Sequence, residues 1–359
     1  MRIAIPKESK SAEGRVALTP AACRELTERG HQVCVQRGAG AASGYGDADY
    51  LAAGCMIEPD AEHLWRDAEL IVKVKEPNAA ESAWLRPGQL LFCYLHLAAE
   101  PVLAEALCRS GATAIGFETV MEPASGMLPL LAPMSTIAGT LAAQIGSQLL
   151  YRHHGGKGRL LGGLAGAERG RCVVIGAGNA GLAAIKGLAA LGAQVLAFDR
   201  SADRLELAHA VGSAVTALYA HPDEVAKAAA NADLVVGAVL VPGAAAPRVL
   251  KRDAVAAMEP GSVIVDIAVD QGGCIETTRP TDYTDPVYIE CGVLHFAVTN
   301  MPGAVPRTAT EALSGRLLPY VLRLAGDSWR GDPALAGGVN VHAGQLVHPA
   351  VRESLSVAR

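Results

Sequence analysis

Four side chains in this sequence carry the groups that acid–base chemistry on a small carboxylate needs. Arg15 lies in Gly14-Arg15-Val16-Ala17-Leu18-Thr19-Pro20 and Lys75 in Val72-Lys73-Val74-Lys75-Glu76-Pro77. His96 lies in Tyr94-Leu95-His96-Leu97, and Asp270 ends the run Ile264-Val265-Asp266-Ile267-Ala268-Val269-Asp270. The set offers two cations for a carboxylate, one imidazole (a side-chain type that titrates near neutrality) and one carboxylate able to take a proton. Taken singly, each also has a plain structural reading. Arg15 and Lys75 read equally as solvated surface charges, His96 as a satisfied core histidine, and Asp270 as the cap of the turn before Gly272-Gly273. Position favours chemistry: Lys75 and His96 each follow an apolar strand, and open α/β sheets take their ligands beyond the carboxyl ends of strands.

A second constellation is Gly176-Ala177-Gly178-Asn179-Ala180-Gly181. The G-x-G-x-x-G pattern is weak alone. Here it follows the β-branched run Cys172-Val173-Val174-Ile175 and opens a helix over 180–191, which is the context that gives it meaning. Gly176 permits the tight turn, Gly178 lets a pyrophosphate approach the backbone, and Gly181 lets helix and strand pack closely. The helix N-terminus then offers free N–H groups to phosphates. Asp199 ends the next strand, over 194–198, where an acid accepts hydrogen bonds from the adenosine ribose and repels the extra phosphate of NADP. Arg200 follows directly and favours that phosphate, so NAD is expected and NADP stays open.

The elements that must position these groups alternate. Short apolar runs at 3–6, 32–36, 71–75, 90–94 and 114–117 read as strands, and 20–29 and 102–110 as helices between them. One βαβ unit covers 172–198, with later strands at 234–240 and 262–267. The stretch 153–169 reads as a loop, and 308–324 as a helix. With 359 residues the prior is two domains. Both are expected to be α/β: a Rossmann-type nucleotide-binding domain over 131–305, inserted in a discontinuous Rossmann-like substrate domain over 1–130 plus 306–359. Helices at about 135–150 and 308–324 are expected to join the domains as a hinge, with the four reactive groups meeting in the cleft between them.

Composition narrows the function classes. Half the residues are apolar and only 4% are aromatic, so a large core must be built mainly of Ala, Val, Leu and Ile. The formal charge of -5 comes with no basic run, which argues against nucleic acid or anionic lipid as partner. The eight cysteines show no Cys-x-x-Cys and no zinc-ligand spacing, so no metal is expected and the thiols read as small buried hydrophobes in a reducing, cytoplasmic setting. The opening Met-Arg-Ile-Ala-Ile-Pro-Lys-Glu reads as a short strand followed by charge, not as a signal peptide. Residues 123–151 lack charge and are numerous enough to span a bilayer, but two prolines and several polar residues mark a loop and a buried helix.

These stretches resemble the alanine dehydrogenases from Met1 to about Leu324. The resemblance is carried by Pro6-Lys7-Glu8, Arg15-Val16-Ala17-Leu18-Thr19-Pro20, Lys73-Val74-Lys75-Glu76-Pro77, Tyr94-Leu95-His96-Leu97-Ala98, Gly237-Ala238-Val239-Leu240-Val241-Pro242-Gly243-Ala244, the run from Val265 through Asp270 to Gly273, and Asn300-Met301-Pro302-Gly303-Ala304-Val305-Pro306-Arg307-Thr308. It implies reversible oxidative deamination of L-alanine to pyruvate and ammonia with NAD. It implies Arg15 and Lys75 as substrate-binding residues and His96 and Asp270 as catalytic ones. Cofactor contacts are implied at Ser135, Gly176, Gly178, Asn179, Ala180, Gly181, Asp199, Arg204, Val239, Leu240, Ile267, Asp270, Val298, Asn300 and Met301. A homo-oligomer, a hexamer in the family, is implied as well.

The sequence also departs from that pattern. Residues 176–185 and 197–200 look more like the proton-pumping transhydrogenase subunit, and Thr136 replaces an acid common in alanine dehydrogenases. Those subunits generally lack the lysine and histidine that match Lys75 and His96. A non-catalytic NAD(H)-binding module is therefore the alternative, and a dehydrogenase for glycine, serine or a larger amino acid is another.

Overall fold

The computed structural model describes residues 1–239, 246–326 and 328–357. The chain forms two units, Met1–Met134 with Gly303–Arg359, and Ser135–Pro302. Its strands, in chain order, are β1 Arg2–Ile5, β2 Gln32–Gln36, β3 Met56–Glu58, β4 Leu70–Val72, β5 Leu90–Cys93, β6 Thr113–Gly116, β7 Arg171–Ile175, β8 Gln194–Asp199, β9 Val215–Tyr219, β10 Leu234–Gly237, β11 Val263–Asp266, β12 Val287–Glu290, β13 Val293–Phe296, β14 Val339–His342 and β15 Gln345–Leu346.

In the first unit the sheet runs β15-β14-β6-β5-β4-β1-β2-β3. The strands from β3 to β6 are parallel, and β14 and β15 add an antiparallel edge. β4 and β5 are buried at every position, as continuous apolar runs in a sheet covered on both faces should be. The helix Pro20–Glu28 starts where the sequence signals it: Thr19 caps it by accepting from the Ala22 N–H, and Pro20 fills a first-turn position that needs no donor.

The second unit has the order β12-β13-β11-β10-β7-β8-β9, parallel except for β12. Both sheets thus contain the doubly wound order 3-2-1-4-5-6, with the strand order reversing between β1 and β4 in one and between β7 and β10 in the other.

The uncharged stretch becomes the helix Ala132–Leu149. Within the second unit its small residues lie against the helix Asn179–Ala190. A Cβ on Gly139 would fall 1.9 Å from the Ala180 carbonyl oxygen, and one on Gly187 would fall 2.8 Å from Ala143 Cβ. Close backbone approach, not lipid, accounts for its apolar character. Among the described residues no helix is long and apolar enough to cross a membrane.

Two differences from the sequence reading have local causes. The strand expected over 71–75 ends at Val72: the Lys73 N–H still reaches the Phe92 carbonyl at 3.2 Å, but the Val74 and Lys75 N–H groups leave the ladder for the Glu8 side chain. The C-terminal stretch, featureless in sequence, contains the β14–β15 hairpin, whose two-residue loop Ala343-Gly344 has φ of 48° and 77°. That is the geometry of a type I′ turn, which Asn-Gly or Asp-Gly usually announces.

Candidate active site

In the first unit four neighbouring parallel strands each deliver one polar residue past their carboxyl ends. Glu8 follows β1, Lys75 follows β4, His96 follows β5 and Glu118 follows β6. Arg15 lies in the loop between β1 and the helix Pro20–Glu28.

Arg15 is only 2% exposed, which removes the surface-charge reading. Its Nε donates to Glu13 Oε1 at 2.7 Å, its own backbone N–H donates to the same oxygen at 3.0 Å, and a second guanidinium nitrogen pairs with Glu13 Oε2. The other terminal nitrogen lies 3.2 Å from the sulfur of Met134. Burial works against the guanidinium charge, but the hydrogen bonds and charge of Glu13 more than offset it and raise the pKa.

Lys75 is buried as well, at 9% exposure. Glu8 fixes its segment: Oε1 accepts from the Val74 N–H at 2.6 Å and Oε2 from the Lys75 N–H at 3.3 Å. The Lys73 ammonium lies 3.7 Å from Glu8 and 2.8 Å from Glu81. Burial pushes the Glu8 carboxyl up to about 7, against the pull of Lys73 and the two N–H donors.

His96 is half-buried, not a core residue. Its backbone is left-handed, φ 49° and ψ 33°, a conformation few non-glycine residues adopt. The Glu118 carboxylate accepts from the His96 N–H at 2.7 Å and from the Leu95 N–H at 3.2 Å. The imidazole stacks on Tyr94, centroids 5.7 Å apart and planes 9° apart. Burial pushes the Tyr94 hydroxyl far up, and that hydroxyl donates to the Leu130 carbonyl at 2.6 Å.

In the second unit the glycine loop has the shape of a phosphate cradle. Gly176 has φ 95°. A Cβ on Gly181 would fall 1.7 Å from the Gly176 carbonyl oxygen, so the turn closes only over a glycine. At Gly178, by contrast, a Cβ would meet nothing nearer than an Arg204 nitrogen at 3.9 Å. That face is open, beside the exposed Asn179 and the half-buried Ala180 at the start of a twelve-residue helix. A dinucleotide fits this donor set: free helix N–H groups for the pyrophosphate and an acid at the end of the adjacent strand. Asp199 is that acid, its Oδ2 accepting from the Ala177 N–H at 2.7 Å and its Oδ1 from the Ser201 N–H at 2.9 Å. The Arg204 guanidinium lies 3.8 Å from Asp199.

Asp270 is exposed, on the 3-10 turn Ile267–Gln271 that follows β11. The Asn300 N–H reaches its Oδ2 at 3.4 Å, and Asn300 is itself left-handed at φ 62°. Beneath the turn lies Asp266, fully buried, accepting from Ala268 N at 3.0 Å, Cys274 N at 3.0 Å and Thr278 Oγ1 at 2.6 Å. Asp266, not Asp270, caps the turn, so the capping reading passes to the earlier acid. Half-buried Val239 follows β10, and buried Val298 and Met301 follow β13. Ser135, half-buried, is in the first turn of Ala132–Leu149, and half-buried Ile267 opens the 3-10 turn. Leu240 lies outside the described residues. Among the described residues no cluster of three or more His, Cys, Asp or Glu side chains is arranged to hold a metal ion.

The sequence reading did not single out Glu13, Glu118 or Tyr94, and it took Glu8 only as part of a motif. Glu13 had a local signal, two residues before Arg15; Glu118 had none.

Known proteins are similar to this chain over nearly its whole length. Residues 4–138 match the family described as Alanine dehydrogenase/PNT, N-terminal domain, and residues 142–349 match Alanine dehydrogenase/PNT, C-terminal domain. The alanine dehydrogenase of Halomonas elongata is 49% identical, covering 99% of this chain and 97% of that protein. The alanine dehydrogenase of Mycobacterium tuberculosis is 48% identical over the same shares. A solved L-alanine dehydrogenase superposes with a TM-score of 0.94 at 48% identity, covering 100% of both chains. A transhydrogenase from Sinorhizobium meliloti superposes with a TM-score of 0.83 at 28% identity, covering 98% of this chain and 100% of its own.

Proposed function

The chain belongs to the alanine dehydrogenase/PNT family, and from that premise we propose that it is an NAD-dependent alanine dehydrogenase. L-alanine, water and NAD give pyruvate, ammonium, NADH and a proton, reversibly. The observation that carries the reading is the pair of buried cations, Arg15 and Lys75, on the same unit as a half-buried histidine held in an uncommon backbone conformation. Buried cations suit a small carboxylate drawn out of water.

Bound NAD would supply the acceptor for the hydride of the substrate Cα. Gly176, Gly178, Asn179, Ala180 and Gly181 would hold its pyrophosphate, Asp199 its adenosine ribose, and Arg204, Ser135, Val239, Ile267, Val298, Asn300 and Met301 would line the rest of its site. Arg15 and Lys75 bind the substrate carboxylate. Lys75 also polarises the carbonyl oxygen of pyruvate. His96 and Asp270 share the proton transfers that accompany water addition to the iminium and departure of ammonia. The family resemblance carries one further part of the reading, a homohexamer, and the cysteine usage carries another, a cytoplasmic location.

The likeness to a transhydrogenase supports one other reading, a module that binds NAD(H) without turning over an amino acid. A spectrophotometric screen of amino acids with NAD and NADP separates the two. L-alanine with NAD is expected to give the fastest reduction, and tight NADH binding without turnover of any amino or keto acid contradicts the proposal.

The same assay tests the cofactor. Asp199 is fixed from both oxygens, so a second phosphate on the ribose would meet an anchored negative charge. NAD is expected to exceed NADP in kcat/KM, and Asp199→Ala is expected to narrow the gap. Equal kcat/KM for both cofactors in the native enzyme contradicts this.

A further inference from the structure

We propose that Glu118 is a positioning residue for the reaction: its carboxylate holds the backbone of the His96 turn in the left-handed conformation from which the imidazole is presented. The inference rests on the reading of His96 as a proton-transfer residue.

β5 ends at Cys93, and three residues later the chain turns through His96 at φ 49°. A histidine there is strained and persists only where its surroundings dictate it. What dictates it is an anion. The consecutive N–H groups of Leu95 and His96 point the same way, and successive N–H groups in a turn with a left-handed residue form a concave anion site. Glu118 fills it: Oε1 accepts from both N–H groups, at 3.2 and 2.7 Å, and Oε2 from Leu95 at 3.2 Å. Charge-assisted bonds of this kind are the stronger class of hydrogen bond and are of the same order as the strain they oppose.

The carboxylate is itself held in place. Glu118 sits in the helical turn Phe117–Thr119 directly after β6, the parallel neighbour of β5. Its side chain folds back over Gly116, where a Cβ would fall 3.2 Å from Oε1 and 2.8 Å from Asn340 Nδ2. The next residue, Thr119, is tied to β14 and the residue before it, donating to the Gly338 carbonyl at 2.9 Å and accepting from Asn340 Nδ2 at 2.6 Å. His96 is thus fixed twice over, at its backbone by Glu118 and at its ring by Tyr94. Glu118 moves no proton in this scheme; its part is to keep the imidazole in one orientation.

The test compares Glu118→Leu, Glu118→Gln and His96→Ala in the full-length enzyme. Each is measured for kcat, KM for pyruvate, NADH affinity by fluorescence, and melting temperature. Glu118→Leu, which keeps bulk but accepts no hydrogen bond, is expected to lose kcat by about 10²-fold, the scale that a misplacement of about 1 Å can carry. KM and NADH affinity are expected to stay near native values. Glu118→Gln is expected to recover part of the loss, because its amide oxygen still accepts from both N–H groups but without the charge. Hydrogen exchange at the Leu95 and His96 amides is expected to rise in the leucine variant and less in the glutamine variant. If Glu118→Leu fails to fold, Glu118→Asp replaces it: the charge remains but the reach is short, and kcat is expected to fall. Native kcat in the leucine or aspartate variant overturns the proposal. So does a glutamine variant no better than the leucine one, which marks a merely structural acid. If His96→Ala itself keeps native turnover, the reading of His96 falls and the role of Glu118 falls with it; a dead His96→Ala beside an unaffected Glu118 series overturns only the inference.

Discussion

His96→Ala is expected to lose about 10²- to 10⁴-fold in kcat, the usual range for a general acid–base group. Melting temperature is expected to change little, because the ring is half-buried and stacked on Tyr94 at a 5.7 Å centroid distance rather than packed in a core. The backbone adds a refinement. At φ 49° alanine is strained, whereas asparagine enters the left-handed region readily. His96→Asn therefore removes the imidazole while sparing the turn and should show the same loss of turnover. Steady-state kinetics and a thermal melt on both variants check this. A collapsed melting temperature in both, with native kcat in the folded fraction, would mean a structural histidine.

Lys75→Ala is expected to lower kcat and raise KM for pyruvate together. The two effects have different origins. As amination proceeds, negative charge develops on the keto oxygen, and an ammonium beside it stabilises the transition state more than the ground state, which acts on kcat. Help in binding the carboxylate is felt alike in both states and acts on KM. NADH affinity should be nearly unchanged, since the glycine loop belongs to the other unit. Lys75→Arg is expected to rescue little: Lys75 is 9% exposed, and a planar fork does not replace a compact point charge in a buried position. Kinetics and NADH fluorescence titration on both variants are the measurement. Activity within about twofold of native, only ~0.4 kcal/mol in barrier, would make Lys75 a bystander.

Much of the fold is written locally in the sequence. The run Cys172–Ile175 is buried on both faces, and Gly176 and Gly181 after it are forced by close approach, so strand, turn and helix all follow from neighbours in sequence. The β14–β15 and β12–β13 hairpins carry no such local signal: their type I′ loops are Ala343-Gly344 and Cys291-Gly292, and neither first residue advertises positive φ. The sequence offered the reactive groups as candidates, but not what holds them. Glu8 reaches the Val74 N–H across 66 residues and Glu118 reaches the His96 N–H across 22, and no periodicity links such pairs. Only the sheet order, which sets β1, β4, β5 and β6 side by side, brings them together. Asp266 and Asp270 were separable only by burial. One is enclosed by donors and builds the turn, while the other is exposed on it.

The central claim is that hydride leaves the Cα of alanine for the nicotinamide. L-alanine carrying deuterium on Cα, incubated with NAD and the pure protein, tests it with no assumption about which residue does what. The expected result is NADH with deuterium at C4 of the nicotinamide, formed in equal amount with pyruvate and ammonium. NAD left oxidised with no pyruvate formed, or NADH formed without deuterium at C4, would contradict it.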